Sequence, residues 1–210
     1  MMFAKARPSR AKVAAAAAKS PAAPATTKGS VVLSTLAFLA EERGEGTLRR
    51  VLAALPPETR ALCEGVDPTA ELPYALVREV WRVAERVAGA GDPTWMERAG
   101  AFAIESAGVR LYGGILRKSS PIEFLTQSIS LFRLYYNPGD MQVVYEAPGA
   151  AVLRLVGFDP VTPLFCQRQT GGLRCALTLA GGLDPRTRHV RCALEGDAFC
   201  EWELGWGTGG

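Results

Sequence analysis

The chain contains a single histidine, His189. A Ser-His-Asp or Cys-His nucleophile set has no other imidazole to draw on, so the sequence argues against a catalytic reading. No run of about 18 apolar residues occurs, and no membrane-spanning helix is expected. Glycine-rich phosphate loops of the P-loop or dinucleotide type are absent, and so are internal repeats. The first 30 residues hold no acid and no leucine-rich apolar segment of the secretory kind; residues 14–18 are merely alanine. Cysteines number five, odd in count and unevenly spaced, which argues against a disulfide framework. A cytoplasmic, reducing compartment is the expectation.

What is present divides unevenly. Residues 1–30 carry six basic side chains (Lys5, Arg7, Arg10, Lys12, Lys19 and Lys28) among alanine, proline, serine and threonine. Such a composition cannot bury enough apolar surface to offset its ordering entropy, so a disordered basic tail is expected there. Its one functional reading is a weak electrostatic contact with nucleic acid or an acidic partner. Residues 31–210 hold 18 basic and 21 acidic side chains, so the rest of the chain is not a basic nucleic-acid-binding domain. Residues 31–206 are long enough for one domain with a substantial core.

Along that domain the hydrophobic period starts helical. Helices are expected over 31–42, 48–54, 57–63, 72–88 and 92–112, and over 120–136 behind the capping box Ser120-Pro121-Ile122-Glu123. Gly100 and Gly108 inside the fifth helix point to close packing of another element or of a ligand. The period then changes. Two β-rich runs flank Pro148-Gly149 as a hairpin, a helix is expected from Asp159-Pro160 to residue 180, and a second hairpin over 188–206 turns at Gly196-Asp197. The predicted class is α+β: N-terminal helices packed on an antiparallel sheet of two hairpins separated by a helix.

Four cysteines and the histidine crowd into the last 45 residues. Cys200, Trp202, Leu204 and Trp206 share one strand face, and Val190, Cys192 and Leu194 share one face of the preceding strand. Cys192 meets Cys200 if Leu194 pairs with Ala198. His189 has the opposite parity to Cys192, so it joins them only where the strand starts after it or bulges. Cys166 and Cys175 lie nine residues apart on one helix, about half a turn out of phase by the helical repeat, so at most one of them faces the hairpin. A structural zinc, free core cysteines and a disulfide all remain open on these residues.

The run Cys192-Ala-Leu-Glu-Gly-Asp-Ala-Phe-Cys200-Glu-Trp202 resembles the end of a 4-vinyl-reductase-type domain, related to Golgi-transport tethering subunits and to haem–nitric-oxide-binding domains. Residues 31–206 are also similar to an uncharacterised myxobacterial family of about 200 residues. The resemblance implies a structural zinc held by Cys166, His189, Cys192 and Cys200, with His189 standing where related domains place an acid. It further implies a hydrophobic ligand pocket between helices and sheet, for which Trp81, Trp95, Phe102, Phe124, Phe132 and Tyr135 are the candidate lining; ordinary core is the alternative for each. Haem is not expected, because the nitric-oxide sensors use a helical histidine and a Tyr-x-Ser-x-Arg run. The functional expectation is a non-enzymatic domain that binds an apolar small molecule and serves a sensory or regulatory role. The alternatives are a dimeric tethering module and a tetrapyrrole vinyl-reductase-like enzyme.

Overall fold

The computed structural model describes residues 24–89, 91–108, 120–158 and 161–207. Helices α1 (Gly29–Arg43), α2 (Glu45–Ala54) and α3 (Pro57–Gly65) follow in quick succession. Gly44, at φ 79°, separates the first two, and Pro57 occupies the first turn of α3, where its missing N–H costs nothing. Helix α4 (Tyr74–Ala84) buries the stripe Val77, Val80, Trp81 and Ala84 and ends in a π turn over Glu85–Gly89. Helix α5 (Trp95–Ala103) also runs into a π turn, Ile104–Gly108. Helix α6 (Pro121–Tyr135) starts as predicted: the Ser120 hydroxyl accepts from the Glu123 backbone N–H at 3.3 Å. Helix α7 spans Pro163–Leu179.

Two antiparallel sheets complete the α+β fold. Short strands β1 (Thr26–Lys28), β2 (Glu71–Pro73) and β3 (Tyr136–Asn137) form one, in the order β2-β1-β3. The other is built from β4 (Asp140–Ala147), β5 (Ala150–Val156), β6 (Leu183–Arg191) and β7 (Cys200–Gly207), in the order β4-β5-β7-β6. The two predicted hairpins are thus halves of one sheet, joined where β5 pairs with β7. Its inner face carries Leu153, Leu155, Trp202 and Leu204, and α7 packs against β6 and β7.

Several boundaries differ from the expectations. Thr26–Lys28, assigned to the basic tail, is a paired strand, with Thr27 buried and Lys28 bridged to Glu71 at 3.1 Å. Residues 1–23 lie outside the described residues. Helix α4 begins after Pro73 because residues 71–73 pair with β1. The predicted cap Asp92-Pro93 sits upstream of its helix; Asp92 instead accepts from the Thr94 backbone N–H (3.0 Å) and hydroxyl (2.8 Å). Helix α7 is capped by Thr162, whose hydroxyl accepts from the Phe165 N–H at 3.1 Å, and Pro163 follows it. Residues 159–160 are outside the described set.

Gly100 has its explanation in helix packing. A Cβ on Gly100 would overlap the Arg168 carbonyl oxygen, and one on Gly171 would overlap the Glu97 carbonyl oxygen. Helices α5 and α7 therefore touch backbone to backbone.

Asp92 also ties α1 to α5: Arg43 bonds it at 2.9 Å, and Arg98 joins both Asp92 and Glu42. The Thr94 hydroxyl, more than the arginines, holds the Asp92 carboxyl down from 3.8 to about 2. A depressed folded-state pKa gives stability that is present above pH 3.8 and lost as pH falls towards about 2. Asp92→Asn is expected to lower Tm at neutral pH and to flatten the acid limb of a Tm-against-pH curve across that window. An unchanged acid limb would show that Asp92 does not couple folding to protons.

Candidate metal centre

Three chain segments converge at the N-terminal end of α7. Cys166 sits in the first turn of α7, His189 near the end of β6, Cys192 just beyond it, and Cys200 opens β7. One ligand atom from each of the four lies within 4.8 Å of every other. The three cysteines are buried. The predicted tetrad is therefore brought together.

The parity conflict is resolved by a bulge. His189 pairs with Trp202 and Arg191 with Glu201, which leaves Val190 as an extra residue on β6. An extra residue shifts the alternation by one, so His189 and Cys192 reach the same interior despite their odd spacing. The strand does not continue through Leu194 as expected. It ends at Arg191, and Ala193–Glu195 form a 3-10 turn closed by Gly196 in the left-handed region (φ 91°). The Cys192 carbonyl accepts from the N–H groups of Glu195 (2.9 Å) and Asp197 (3.2 Å), while the Cys192 N–H donates to the Asp197 carboxylate at 3.0 Å. These bonds fix the Cys192 backbone. Leu194 points outward and is exposed.

The imidazole is oriented from below. Its ring stacks on Trp202 with centroids 4.7 Å apart and planes 21° from parallel. The Trp202 indole N–H donates to the Thr170 hydroxyl at 3.0 Å, and that hydroxyl donates to the Cys166 carbonyl at 2.9 Å. One line of contacts thus runs from α7 through Trp202 to His189. Strand alternation predicts an inward face for Trp202 but no link to the histidine. Thr170, one turn beyond Cys166, carries that link.

The Cys166 thiol faces Cys200 as a donor, and with His189 and the Ala193 N–H close by, Cys200 is pulled down from the thiol range to about 4. Cys166 moves up in response. Burial raises Cys192. His189 Nε2 is buried with no hydrogen-bond partner. A buried orphan nitrogen beside three sulfurs is a costly arrangement for a bare core and a suitable one for a cation. Soft thiolates plus imidazole form a donor set for a thiophilic metal ion. Cys175 and Cys63 lie outside the tetrad; burial pushes each of their thiols up to about 11.

The expected pocket residues are distributed through the core. Trp81, Trp95, Phe124 and Phe132 are buried, Phe102 and Tyr135 partly so. Phe102 meets Phe38 edge-on at 5.6 Å. Phe132 belongs to an aromatic cluster with Tyr136 and Phe158, extended by Tyr74 and Phe165, with centroids 4.8–6.3 Å apart. Trp81 joins it through Tyr74. Tyr74, Tyr136, Phe158 and Phe165 were not singled out by the sequence, because each falls at an element boundary or its first turn, where no stripe exposes it. A cavity of about 490 Å³ opens beside this cluster, lined by Tyr136, Arg133, Asn137, Asp140 and Val156 among others.

No protein-family model matches the chain, and no curated protein matches it. Solved structures do. An H-NOX protein from S. oneidensis in the Fe(II)NO state aligns with TM-score 0.66 and 12% identity, over 85% of this chain and 99% of that one. Fe(II) unliganded H-NOX from K. algicida aligns with TM-score 0.66 and 9% identity, over 87% and 97%. A structure probing haem distortion in the H-NOX family gives 0.66 and 12%, over 86% and 95%.

These matches correct the zinc expectation: the proteins sharing the fold are named for haem and Fe(II), not for zinc. Haem itself does not fit the described residues. The chain's one histidine is committed to the tetrad on a strand, and the aromatic cluster occupies the interior between α4, α6 and α7. The likeness lies with the haem–nitric-oxide-binding branch of the expected relatives, at identities that speak for architecture alone. This chain has the H-NOX fold, and its Cys/His tetrad brings side chains of the last hairpin together with the first turn of α7.

Proposed function

We propose that this protein is a non-enzymatic sensory domain that binds a small molecule, and that its Cys166–His189–Cys192–Cys200 tetrad holds a thiophilic metal ion in a structural role. The observation that carries the metal part is the mutual 4.8 Å approach of four donor atoms, one of them a buried imidazole nitrogen with no other partner. Four protein ligands leave no open position for a reacting water, so the ion clamps rather than catalyses. The H-NOX architecture supports the sensory part. In this reading Trp81, Trp95, Phe102, Phe124, Phe132 and Tyr135 are the side chains that contact the ligand's apolar body. A cytoplasmic homodimer belongs to the same reading. No described helix is long and apolar enough to cross a membrane.

Elemental analysis of protein purified under reducing conditions tests the tetrad. One transition-metal ion per chain is the expected result, and a chelator that strips it is expected to lower Tm. Metal far below stoichiometry, with Tm indifferent to the chelator, would reduce the tetrad to core cysteines. The ligand part is tested separately by melting the metal-loaded protein with small aromatic and aliphatic compounds. Specific binding raises Tm with ligand concentration, and a flat response across both classes sinks it. Sedimentation of the purified chain reads the dimer.

A further inference from the structure

Arg168, on α7, is a cation inside the protein core. It is 5% exposed, and its guanidinium carbon lies 5.4 Å from the centre of the fully buried Trp81 ring. One N–H group donates to the Ser34 hydroxyl at 2.8 Å and another reaches the Ala99 carbonyl at a long 3.4 Å. The Tyr136 phenol sits against it, with Tyr74 close by. Every one of these partners is neutral. Among the described residues no carboxylate forms an ion pair with Arg168, although exposed arginines elsewhere take acids freely.

An ion transferred from water to such surroundings loses several kcal/mol of hydration, and neutral acceptors restore only part of it. Buried guanidinium groups are normally matched by a planar, bidentate anion. Nearby a second polar group is incomplete. The Tyr74 hydroxyl is buried with no hydrogen-bond partner among the described residues, and the Thr162 hydroxyl stands beside it. Its ring contacts Trp81 and Tyr136, the same two side chains that flank Arg168. Tyr136 in turn lines the solvent-open cavity of about 490 Å³. Among the described residues, a positive charge without an acid partner and a phenol without a hydrogen-bond partner therefore pack around Tyr136, which forms part of the wall of a cavity open to solvent.

We infer that the ligand of this domain is an apolar molecule bearing a carboxylate, and that Arg168, with Tyr136 and Tyr74 as donors, receives that carboxylate. The inference rests on the ligand-binding reading above and narrows it from neutral apolar compounds to acids. Arg168 lies two residues from Cys166, so a ligand held there touches the helix that also carries the tetrad.

Matched pairs of probes test the charge and the apolar body independently: phenylacetate against 2-phenylethanol, and octanoate against 1-octanol, titrated by calorimetry into metal-loaded full-length protein. At least one acid is expected to bind about tenfold more tightly than its alcohol, the scale of one charge-assisted hydrogen-bonded pair. In Arg168→Gln the two members of that pair should bind alike. Arg133→Gln, which removes the exposed arginine at the cavity rim, should keep the preference. Acid and alcohol binding equally to the native protein would overturn this inference and leave the ligand-binding reading standing. Loss of the preference in Arg133→Gln would place the anion at the rim and also overturn it. Failure of all four probes to bind would count against both. These outcomes need only the native chain and a surface variant, so they stand even if Arg168→Gln does not fold.

Discussion

Replacing Cys200 with serine is expected to abolish stoichiometric metal binding and to lower Tm by roughly 10 °C or more. In the proposed site Cys200 meets Cys166 and His189 and accepts from the Ala193 N–H at 3.5 Å, and these contacts pull its thiol down to about 4. Removing one of four ligands weakens a closed site by orders of magnitude. A metal held at a thousand times its dissociation constant contributes about 4 kcal/mol. For a domain of this size each kcal/mol moves Tm by about 2–4 °C. The chelator supplies the internal check: it should destabilise the native protein to the level of Cys200→Ser and leave the variant unaffected. Cys175→Ser, on a half-buried cysteine outside the tetrad, should retain both metal and Tm. Equal metal content in Cys200→Ser and native protein would remove the tetrad from consideration.

The second large effect belongs to the α5–α7 crossing. Gly171→Ala adds one methyl group to a helix interior, where alanine is favoured over glycine by about 1 kcal/mol. Here the methyl group would overlap the Glu97 carbonyl oxygen. A clash with backbone cannot be relieved by a rotamer change, so the helices must separate, and overpacking of that kind costs about 1–3 kcal/mol or more. The clash is therefore expected to win, with a net loss of up to about 2 kcal/mol, read as a Tm drop of up to roughly 4–8 °C. Gly46→Ala, on α2 with open space around the glycine, is the matched control and should not destabilise. A neutral or stabilising Gly171→Ala would mean the two helices have slack that their backbone contact denies.

The sequence carried the fold class through two kinds of signal, and its limits are those of the signals. Period and punctuation located α6 by its Ser120 cap, the turn at Pro148-Gly149 and the inward face of β7, because each is written in neighbouring residues. What it could not carry were distant pairings. Thr26–Lys28 reads as tail by composition and becomes a strand only because residues 71–73 and 136–137 lie either side of it. Cys166 and Cys200 were connected by spacing in a resembling family, not by any local pattern in this chain. Parity placed His189 outside the site, since a strand's alternation is legible while the insertion of Val190 into a ladder is not. No local pattern distinguishes Arg168 from the chain's other arginines; its burial depends on α1, α4 and α5 closing over it.

The bulge at Val190 also makes the length of β6 a coded quantity. Arg186 and Arg188 on this strand are exposed, the latter paired with Glu203. Removing a single residue between His189 and Cys192 would straighten the ladder and turn one of the two ligands to the opposite face. Substitutions at Val190 keep the offset; deletions erase it. Among diverging copies of this chain, insertions and deletions should accumulate in the surface turn at 193–198 and be purged from 189–192, so the gap pattern there, more than residue identity, marks which descendants retain the tetrad.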